Sequence, residues 1–379
     1  MLRTTYRLAF TALLATLTLT SAASVAEAQT TIPGGNIVNQ TWTVAGSPYT
    51  VQGDITIPAG AFLRIQQGVD VRFPTGDATG SGANTSRVEI IVDGELTVSG
   101  TAAEPVTLRS TSTGTGSWYG VVANPGSTVT LSGADVRYAS YALYVSGGSP
   151  SVNGTSFRQN TYGIYAVAGT PTATDSLFVD DNVGVYVSGS AGLTLDHCTL
   201  HGNNDGAYVT GGTLDVVDSV VTQNSDDGVD RNAGVATVVD SNVWSNGTNY
   251  EGVVTQTRTQ SANPLYVSAT DLRLTSNSPS RFGAGDGSDQ GALPYVSDAT
   301  PGLYGTLWID TTAPVGTTSI PGDLTIAPGV TLTLPAGSTL SFQASDIMGA
   351  HENTARAELR VLGALVTQGT SSMPVRLTS

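Results

Sequence analysis

The sequence predicts an all-β fold in which short parallel strands wind into a solenoid with about 21–23 residues per coil. Three observations support this prediction. The chain is rich in valine and threonine and is punctuated by 45 glycines; a unit of this length recurs through its middle; and equivalent residues of successive units align in columns. β-Branched residues favour strands, whereas glycine and asparagine favour tight turns. Hydrophobic residues make up 39% of the chain, which is enough for a core and argues against wholesale disorder.

Residues 1–28 are predicted to be a secretory signal peptide. Arg3 and Arg7 give a positively charged start, the apolar stretch runs from Leu8 to Leu19, and Ala26-Glu27-Ala28 offers a cleavage site. We therefore expect the mature protein to begin near Gln29 and to be secreted, either extracellular or at the cell surface. A retained membrane anchor is the weaker alternative, because the apolar run is short and interrupted by threonine. We expect no transmembrane segment later in the chain.

The charge of the chain argues against several classes of partner. The formal net charge is −15, and all 15 basic residues are arginine. Such an acidic surface repels nucleic acid and anionic lipid, so we expect neither as a partner. A polyanionic substrate is also disfavoured unless a cation mediates its binding. Cys198 is the single cysteine, so no disulfide within the chain can stabilise the fold.

Residues 29–118 are predicted to form opening coils and an N-terminal cap, and residues 119–262 the regular coils. A strand of one coil pairs with its copy in the next coil, about 4.8 Å along the axis. No coil can bury its inner face alone, so several must stack. Two apolar columns are expected to face inward: Val121, Leu143, Ile164, Val185, Ala207 and Val229; and Val136, Phe157, Phe178, Leu200, Val221 and Val243.

Two more columns carry small and polar residues. We expect the small column to lie inside the coil. We expect the asparagine-rich column where the chain turns, because asparagine tolerates left-handed backbone geometry; its side chains can also hydrogen-bond along the axis. These columns are Ala134, Thr155, Ser176, Cys198, Ser219 and Ser241; and Asn160, Asp181, Asn203, Asn224 and Asn246.

A longer repeat indicates that a second unit begins after the first. Gly53–Phe73 matches Gly322–Phe342, and the loops at residues 74–87 and 343–356 keep aspartate, asparagine and arginine at equivalent positions. We assign those loops to architecture. Residues 263–300 are predicted to be a closing segment and linker, and residues 301–379 a truncated second β-helix unit of a longer tandem array. Alternatively, the second copy packs on the first as a partial cap.

The repeated segments, such as "YGIYA" at residues 162–166 followed by an asparagine-rich turn, resemble the right-handed parallel β-helix family with its pectin-lyase-like fold, of the bacterial secreted type. The resemblance covers roughly residues 50–260. It implies a right-handed winding, which also agrees with the crossover rule for parallel strands. It implies little about activity, because one fold hosts many functions.

A tyrosine ladder is the first candidate site. Each of its members follows an inward apolar residue by one position and is therefore expected to point outward, forming an aromatic ridge that could bind neutral sugar rings. The alternative is a surface stack that only supports the sheet, and we favour that alternative. The ladder is Tyr144, Tyr165, Tyr186 and Tyr208.

Aspartates form the second candidate. Asp226, Asp227 and Asp230 in "SDDGVD" weakly resemble the clustered aspartates of polygalacturonase-like enzymes, although the basic residues that hold an acidic sugar there have no counterpart. These three are weak catalytic candidates, since glycoside hydrolysis uses paired carboxylates. Calcium is the one cofactor considered, and its weak candidate ligands share a corner column with His197: Asp175, Asp218 and Asp240. Solvated turn aspartates are the favoured alternative for both sets.

The segment "DHCTLH" at residues 196–201 has the composition of a metal site but not its geometry. Cys198 belongs to the inward small column, and His197 and His201 would lie about 13 Å apart along an extended chain. The favoured function is that of a secreted or cell-surface protein with a structural or adhesive role, for which neutral glycans or cell-surface components are the candidate partners. The alternative is a polysaccharide hydrolase or lyase that uses aspartates on adjacent coils.

Overall fold

The computed structural model describes residues 29–296 and 302–379. The predicted signal peptide and residues 297–301 of the predicted linker lie outside the described residues. Within the described ranges every ladder between strands is parallel, and the only helical element is a 3-10 turn at Val44–Gly46. No helix in these ranges is long and apolar enough to cross a membrane. The prediction of an all-β solenoid of parallel strands is confirmed.

Each coil of the first unit contributes strands to three faces, numbered here in chain order. Face 1 consists of Gly35–Asn36, Ile55–Ile57, Glu89–Val92, Trp118–Ala123, Ala139–Val145, Tyr162–Ala166, Val183–Val187, the first parts of Asp205–Val217 and Asp227–Val239, and Thr248–Gly252. Face 2 consists of Gln40–Trp42, Phe62–Gln66, Glu95–Ser99, Thr128–Ser132, Ser151–Asn153, Thr172–Thr174, Gly192–Asp196, the last parts of the two long strands, and Thr255–Thr257. Face 3 consists of Thr30–Ile32, Tyr49–Val51, Asp70–Phe73, Val106–Ser110, Ala134–Arg137, Ser156–Arg158, Leu177–Val179, Thr199–His201, Val220–Thr222 and Asn242–Trp244.

The predicted apolar columns are the core of this unit. Ile164 pairs in register with Leu143 on one side and Val185 on the other, and every member of both columns is buried. Phe157 and Phe178 stack with ring centroids 5.0 Å apart. Burying such a side chain contributes about 1.5–3 kcal/mol. The hydrophobic effect therefore acts along the whole axis rather than at one centre.

The small column is an internal hydrogen-bond ladder. The hydroxyl of Ser219 accepts the backbone N–H of Cys198 from the previous coil at 3.0 Å, and that of Ser241 accepts the N–H of Ser219 at 3.0 Å. The thiol of Cys198 donates to a backbone carbonyl at 3.4 Å. A small side chain with a polar tip is required here because it must satisfy buried amides at a corner of the coil.

The asparagine column also forms a ladder, but its predicted backbone geometry is wrong. The left-handed conformation falls on the residue before it, with φ of 57° at Gln159 and 55° at Gln223. The asparagine itself points inward: Asn203 donates from Nδ2 to Oδ1 of Asn224 at 2.9 Å and to a backbone carbonyl at 3.1 Å. The left-handed residue before each asparagine completes the turn, so the asparagine side chain can point into the coil.

The closing segment packs on the outside of face 3. Leu272 and Ala292 are buried against Leu177 and Val179, and an isolated antiparallel bridge joins Tyr266 to Leu274. The second unit repeats the three-faced coil with Gly305–Leu307, Leu324–Ile326 and Leu359–Val361; Thr311–Thr312, Thr331–Leu334 and Ala364–Thr367; and Gly316–Ile320, Ser338–Phe342 and Arg376–Thr378.

The second unit contacts the end of the first. Trp308 donates its indole N–H to the carbonyl of Ser278 at 2.9 Å, and Asn263 donates its backbone N–H to the carbonyl of Met348 at 2.9 Å. Ala262, Leu265, Met348 and Ala350 form a small buried cluster between the units. The second unit therefore packs against the end of the last regular coil and the closing segment.

Candidate functional site

The predicted tyrosine ladder lies on the outer side of face 1. Tyr144, Tyr165, Tyr186 and Tyr208 pair in register on successive coils, and all four side chains are half-buried. The inward neighbours Leu143, Ile164, Val185 and Ala207 are fully buried. The ladder therefore stands outside the coil, supported by the core column beneath it.

A second tyrosine column lies beside the ladder. The Tyr141 ring stacks on the Tyr162 ring with centroids 5.2 Å apart, and Tyr119 lies 5.1 Å from Tyr141 in a tilted contact. The Tyr162 and Tyr165 rings meet edge to face at 5.0 Å, which joins the columns. We call the combined surface the tyrosine patch, and its members are Tyr119, Tyr141, Tyr144, Tyr162, Tyr165, Tyr186 and Tyr208.

The alternation of a regular strand does not predict the second tyrosine column. Residues three apart on a regular strand point to opposite sides, so Tyr162 and Tyr165 were not expected to share a surface. In the structure two consecutive residues between them, Gly163 and Ile164, are both buried, and both tyrosines face outward. The recurring Tyr-x-x-Tyr spacing, at Tyr141 and again at Tyr162, was the available signal.

The stacking leaves mainly ring edges and hydroxyl groups at the surface. Tyr165 is covered on both faces, by Tyr144 with centroids at 5.5 Å and by Tyr186 at 4.4 Å. A sugar therefore cannot stack on the face of a middle ring, and the expectation that the ridge binds sugar rings by stacking is not met at Tyr165. The hydroxyl of Tyr186 lies 2.8 Å from that of Thr210.

The hydroxyl groups of Tyr119, Tyr162 and Tyr165 are protonated at neutral pH. Burial, with a contribution from Glu89, raises the pKa of Tyr119 to about 12. Burial, followed by the neighbouring tyrosines, also raises the pKa of Tyr162 and of Tyr165. A protonated phenol both donates and accepts hydrogen bonds. The patch thus presents a row of neutral polar groups set in an apolar frame.

Both tyrosine columns lead to carboxylates on the following coils. Along one column Tyr162 is followed in register by Val183 and Asp205, and Asp227 of the next coil donates its backbone N–H to Asp205 Oδ1 at 3.4 Å. Along the other, Tyr208 is followed by Asp230 and then Glu251. The three weak catalytic candidates, Asp226, Asp227 and Asp230, therefore lie next to the tyrosine patch. We call this region the acidic end.

Burial and, after it, electrostatic repulsion raise the pKa of carboxyl groups in the acidic end. Burial and then Asp227, Asp205, Glu251 and Asp226 raise the pKa of Asp230 to about 6. Burial is also the main cause that raises the pKa of Asp205 and of Asp227. Oxygen atoms of Asp205, Asp226 and Asp227 come within 4.8 Å of one another. The nearby Arg231 donates from Nε to a backbone carbonyl at 2.9 Å.

The weak calcium candidates occupy a corner of the coil, where they have other partners. Asp175, Asp218 and Asp240 adopt positive φ of 48°, 49° and 47°. Asp240 is bound by the guanidinium of Arg258, and Asp218 accepts the backbone N–H of Gly285 from the closing segment. Asp175 is exposed. The structure thus gives two of these carboxylates a role in holding the closing segment or its neighbouring coil.

The two histidines and the cysteine of "DHCTLH" do not converge on one site, although side-chain atoms of Asp196, His197 and Asp218 come within 4.8 Å of one another. His197 lies between Asp196 at 2.9 Å and Ser288 at 2.8 Å. His201 is buried under Tyr266, and burial lowers its pKa. Cys198 is fully buried, which raises its pKa to about 12. The interpretation of Cys198 as a small core residue is confirmed.

Residues 98–263 match the family model described as "Right handed beta helix region". This match and the stacked parallel coils fit a right-handed β-helix repeat protein. The match fits a pectin-lyase-like β-helix and includes the whole tyrosine patch and the whole acidic end. A search of curated proteins found no match, and a search of solved structures found none. The β-helix family alone therefore leaves activity and ligand to be argued from the site.

Proposed function

We propose that this β-helix is a secreted structural or adhesive protein that contacts neutral glycans through its tyrosine patch. The observation that carries the proposal is the patch itself, seven half-buried tyrosines in two adjacent columns on one outer face. Tyrosine is favoured at binding surfaces because it supplies contact area and a polar group at low conformational entropy cost.

The geometry favours recognition by edges and hydroxyls. Because the middle rings are covered by their neighbours, a glycan would lie across the hydroxyl row and exchange hydrogen bonds with it. Its apolar C–H groups would meet the ring edges. The stack also holds the rings in place, so little side-chain entropy is lost on binding. A rigid row of this kind suits a chain ligand that extends along the helix axis.

The charge of the site favours a neutral ligand. The acidic end continues directly from the patch, and the whole chain has a formal net charge of −15. An anionic glycan would be repelled by both, and more strongly at low ionic strength. The proposed ligand class is therefore a neutral oligosaccharide or polysaccharide.

Glycan-array binding by the full chain tests the proposal. Tyr165→Ala/Tyr186→Ala should weaken binding at least tenfold, which corresponds to about 1.4 kcal/mol. Tyr165→Phe/Tyr186→Phe keeps the stack and should show a smaller loss if the hydroxyls contribute. Tyr295→Ala, outside the patch, is the matched control. Binding that survives the double alanine change would exclude the patch as the contact surface.

A carbohydrate-active enzyme is the second candidate, and one observation favours it. The pKa of Asp230, raised to about 6, places a carboxyl group in the range of a general acid, with ionisable Asp227 and Asp205 nearby. Perturbed carboxyl groups are frequent at catalytic sites, although structural clusters also produce them. Four cavities in the described residues lie instead at the closing segment and second unit, and none is lined by these aspartates.

Reducing-end release from neutral polysaccharides tests this second candidate. An enzyme that uses Asp230 as its acid would lose activity above about pH 6 and would be inactivated by Asp230→Asn. Binding without any release, in the wild-type chain across pH 4–8, would contradict it.

A further inference from the structure

Each of the two units has a loop, at residues 74–87 and 343–356, that is anchored by carboxylates at equivalent positions. In the first unit the backbone N–H of Asp54 donates to Asp77 at 3.3 Å, and that of Glu89 donates to Asp54 at 2.8 Å. In the second unit Asp323 donates to Asp346 at 3.0 Å, and Glu358 donates to Asp323 at 2.6 Å. The duplicated loops at residues 74–87 and 343–356 are thus anchored in the same way.

The units differ in how the remaining carboxylate oxygens are satisfied. In the first unit the hydroxyl of Ser81 donates to Asp54 Oδ2 at 2.8 Å, and that of Thr79 donates to Asp77 Oδ1 at 2.7 Å. The equivalent residues of the second unit are Ala350 and Met348, which have no hydroxyl to donate. The second loop has therefore lost two hydrogen-bond donors while keeping both aspartates.

The lost donors are explained by the junction between the units. Met348 and Ala350 are buried against Ala262 and Leu265 of the first unit, and the side chain of Asn263 donates to the carbonyl of Ile347 at 3.0 Å. Apolar residues suit this contact, because a hydroxyl buried there would itself need a partner. The junction thus leaves the second carboxylate pair without its donors.

Two buried acceptor atoms remain. Asp323 is 2% exposed, and its Oδ2 has no hydrogen-bond partner; Oδ2 of Asp346 is likewise buried and unpartnered. The two carboxyl groups are close together, because the backbone N–H of Asp323 donates to Oδ1 of Asp346 at 3.0 Å. Two ionised carboxylates in this position would repel each other without solvent to screen them.

We propose that Asp323 and Asp346 share one proton, which fastens the loop at residues 343–356 against the end of the first unit. The proton provides the hydrogen bond that the hydroxyl group of Ser81 provides to Asp54 in the first unit. Asp323 donates and Asp346 accepts. Loss of the proton leaves two facing carboxylates and loosens the loop, so the junction is tight in acid and weaker as the pH rises.

The surrounding charges determine the direction of this effect. Burial, with Asp346 and Glu358 adding repulsion, raises the pKa of Asp323 to about 7. On the open side Arg360 donates to Nδ1 of His351 at 3.3 Å, and burial followed by Arg360 lowers the pKa of that histidine. Residues 259–262 and Pro279, which line the same cavity from the first unit, carry no ionisable side chain.

Linkage then gives the pH window. The folded pKa of Asp323 lies above its unfolded value of 3.8, so the folded loop binds more protons than the opened loop between these values. The stabilisation is fully present below about pH 4 and is lost as the pH rises through about 7. One shared proton allows the opening constant to rise up to tenfold per pH unit in that window.

Amide hydrogen exchange on the full chain tests the proposal. The reporters are the N–H groups of Asp323 and Glu358, which donate directly to the carboxyl pair. After correction for intrinsic exchange, their opening constants should rise with pH between about 4.5 and 7. Asp323→Asn should remove that slope, because its amide can donate to Asp346 at every pH. Asp54→Asn, the same change in the first unit, should leave the slope at these reporters unaltered.

Two further measurements complete the test. Ala350→Ser returns the first unit's donor and should flatten the slope even if Asp323→Asn folds poorly. A wild-type slope of zero, or an unchanged slope in Asp323→Asn and Ala350→Ser, would overturn the proposal. Opening that responds to added calcium and to chelator at constant pH would show that a cation, rather than a proton, joins the two carboxylates.

Discussion

Asp181→Asn should stabilise the first unit. Asp181 occupies the asparagine column and is 3% exposed. Its Oδ1 accepts from the backbone and side chain of Asn160 at 2.6 and 3.0 Å, but its Oδ2 is buried without a partner. In the next coil Asn203 uses the equivalent position to donate two hydrogen bonds, to Asn224 and to a backbone carbonyl. An asparagine at 181 would continue that ladder.

The expected gain follows from the bonds restored. One or two hydrogen bonds at about 1 kcal/mol each, with relief of an unsatisfied buried group, give about 1–3 kcal/mol. For a folding unit of roughly 250 residues the unfolding entropy is about 0.5 kcal/mol/K, so the melting temperature should rise by about 2–6 °C. Thermal unfolding followed by circular dichroism at about pH 7.5 measures this shift.

The pH dependence sharpens the test. Burial raises the pKa of Asp181 well above its usual value, so the wild-type chain loses stability as the pH rises above about 4, whereas the asparagine variant does not. The difference between the two should therefore shrink toward pH 4, where a protonated Asp181 can donate. Asp180→Asn, at the exposed preceding position, is the matched control and should change little. Two results would refute the reasoning: a melting temperature of Asp181→Asn below that of the wild type, or an increase in melting temperature that is the same near pH 4 as at about pH 7.5.

Three further outcomes are expected. Gly120→Ala should lower the free energy of unfolding by roughly 3 kcal/mol or more, because φ is 139° and the new Cβ would lie 1.5 Å from a carbonyl oxygen of the next coil. Gly76→Ala, where no atom lies near the new Cβ, should lower it far less. Chemical denaturation measures both variants. Phe178→Ala should cost about 3–5 kcal/mol by the same measurement, and the half-exposed Phe282→Ala much less. Cys198 should resist thiol reagents at pH 8 until the chain unfolds, since burial raises its pKa to about 12; rapid labelling of the native chain would contradict its position.

The sequence predicted the core well because the same inward and outward pattern of residues recurs in every stacked coil. Phe178 and Ile164 each have equivalents in several coils, so each inward position is indicated many times over. The tyrosine at 162 was missed because strand alternation alone places it opposite Tyr165, and only the two consecutive buried residues between them turn both outward. The unpartnered carboxylate oxygen of Asp323 was not predicted, for another reason. It lacks a donor because of a contact between the two units, and the column pattern holds no information on that contact.

The hydrogen-bond ladders inside the coil run in one direction along the axis and repeat once per coil. Each serine or asparagine accepts an amide from the coil before it, and each asparagine also donates to the coil after it. An insertion or deletion within the strands or corners of a coil would shift these partners unless it comprised one complete turn, whereas a loop such as residues 74–87 leaves the ladder between Ile57 and Val92 in register. Engineered versions of different reach should therefore be made by adding or removing blocks of about 21–22 residues, such as 162–182.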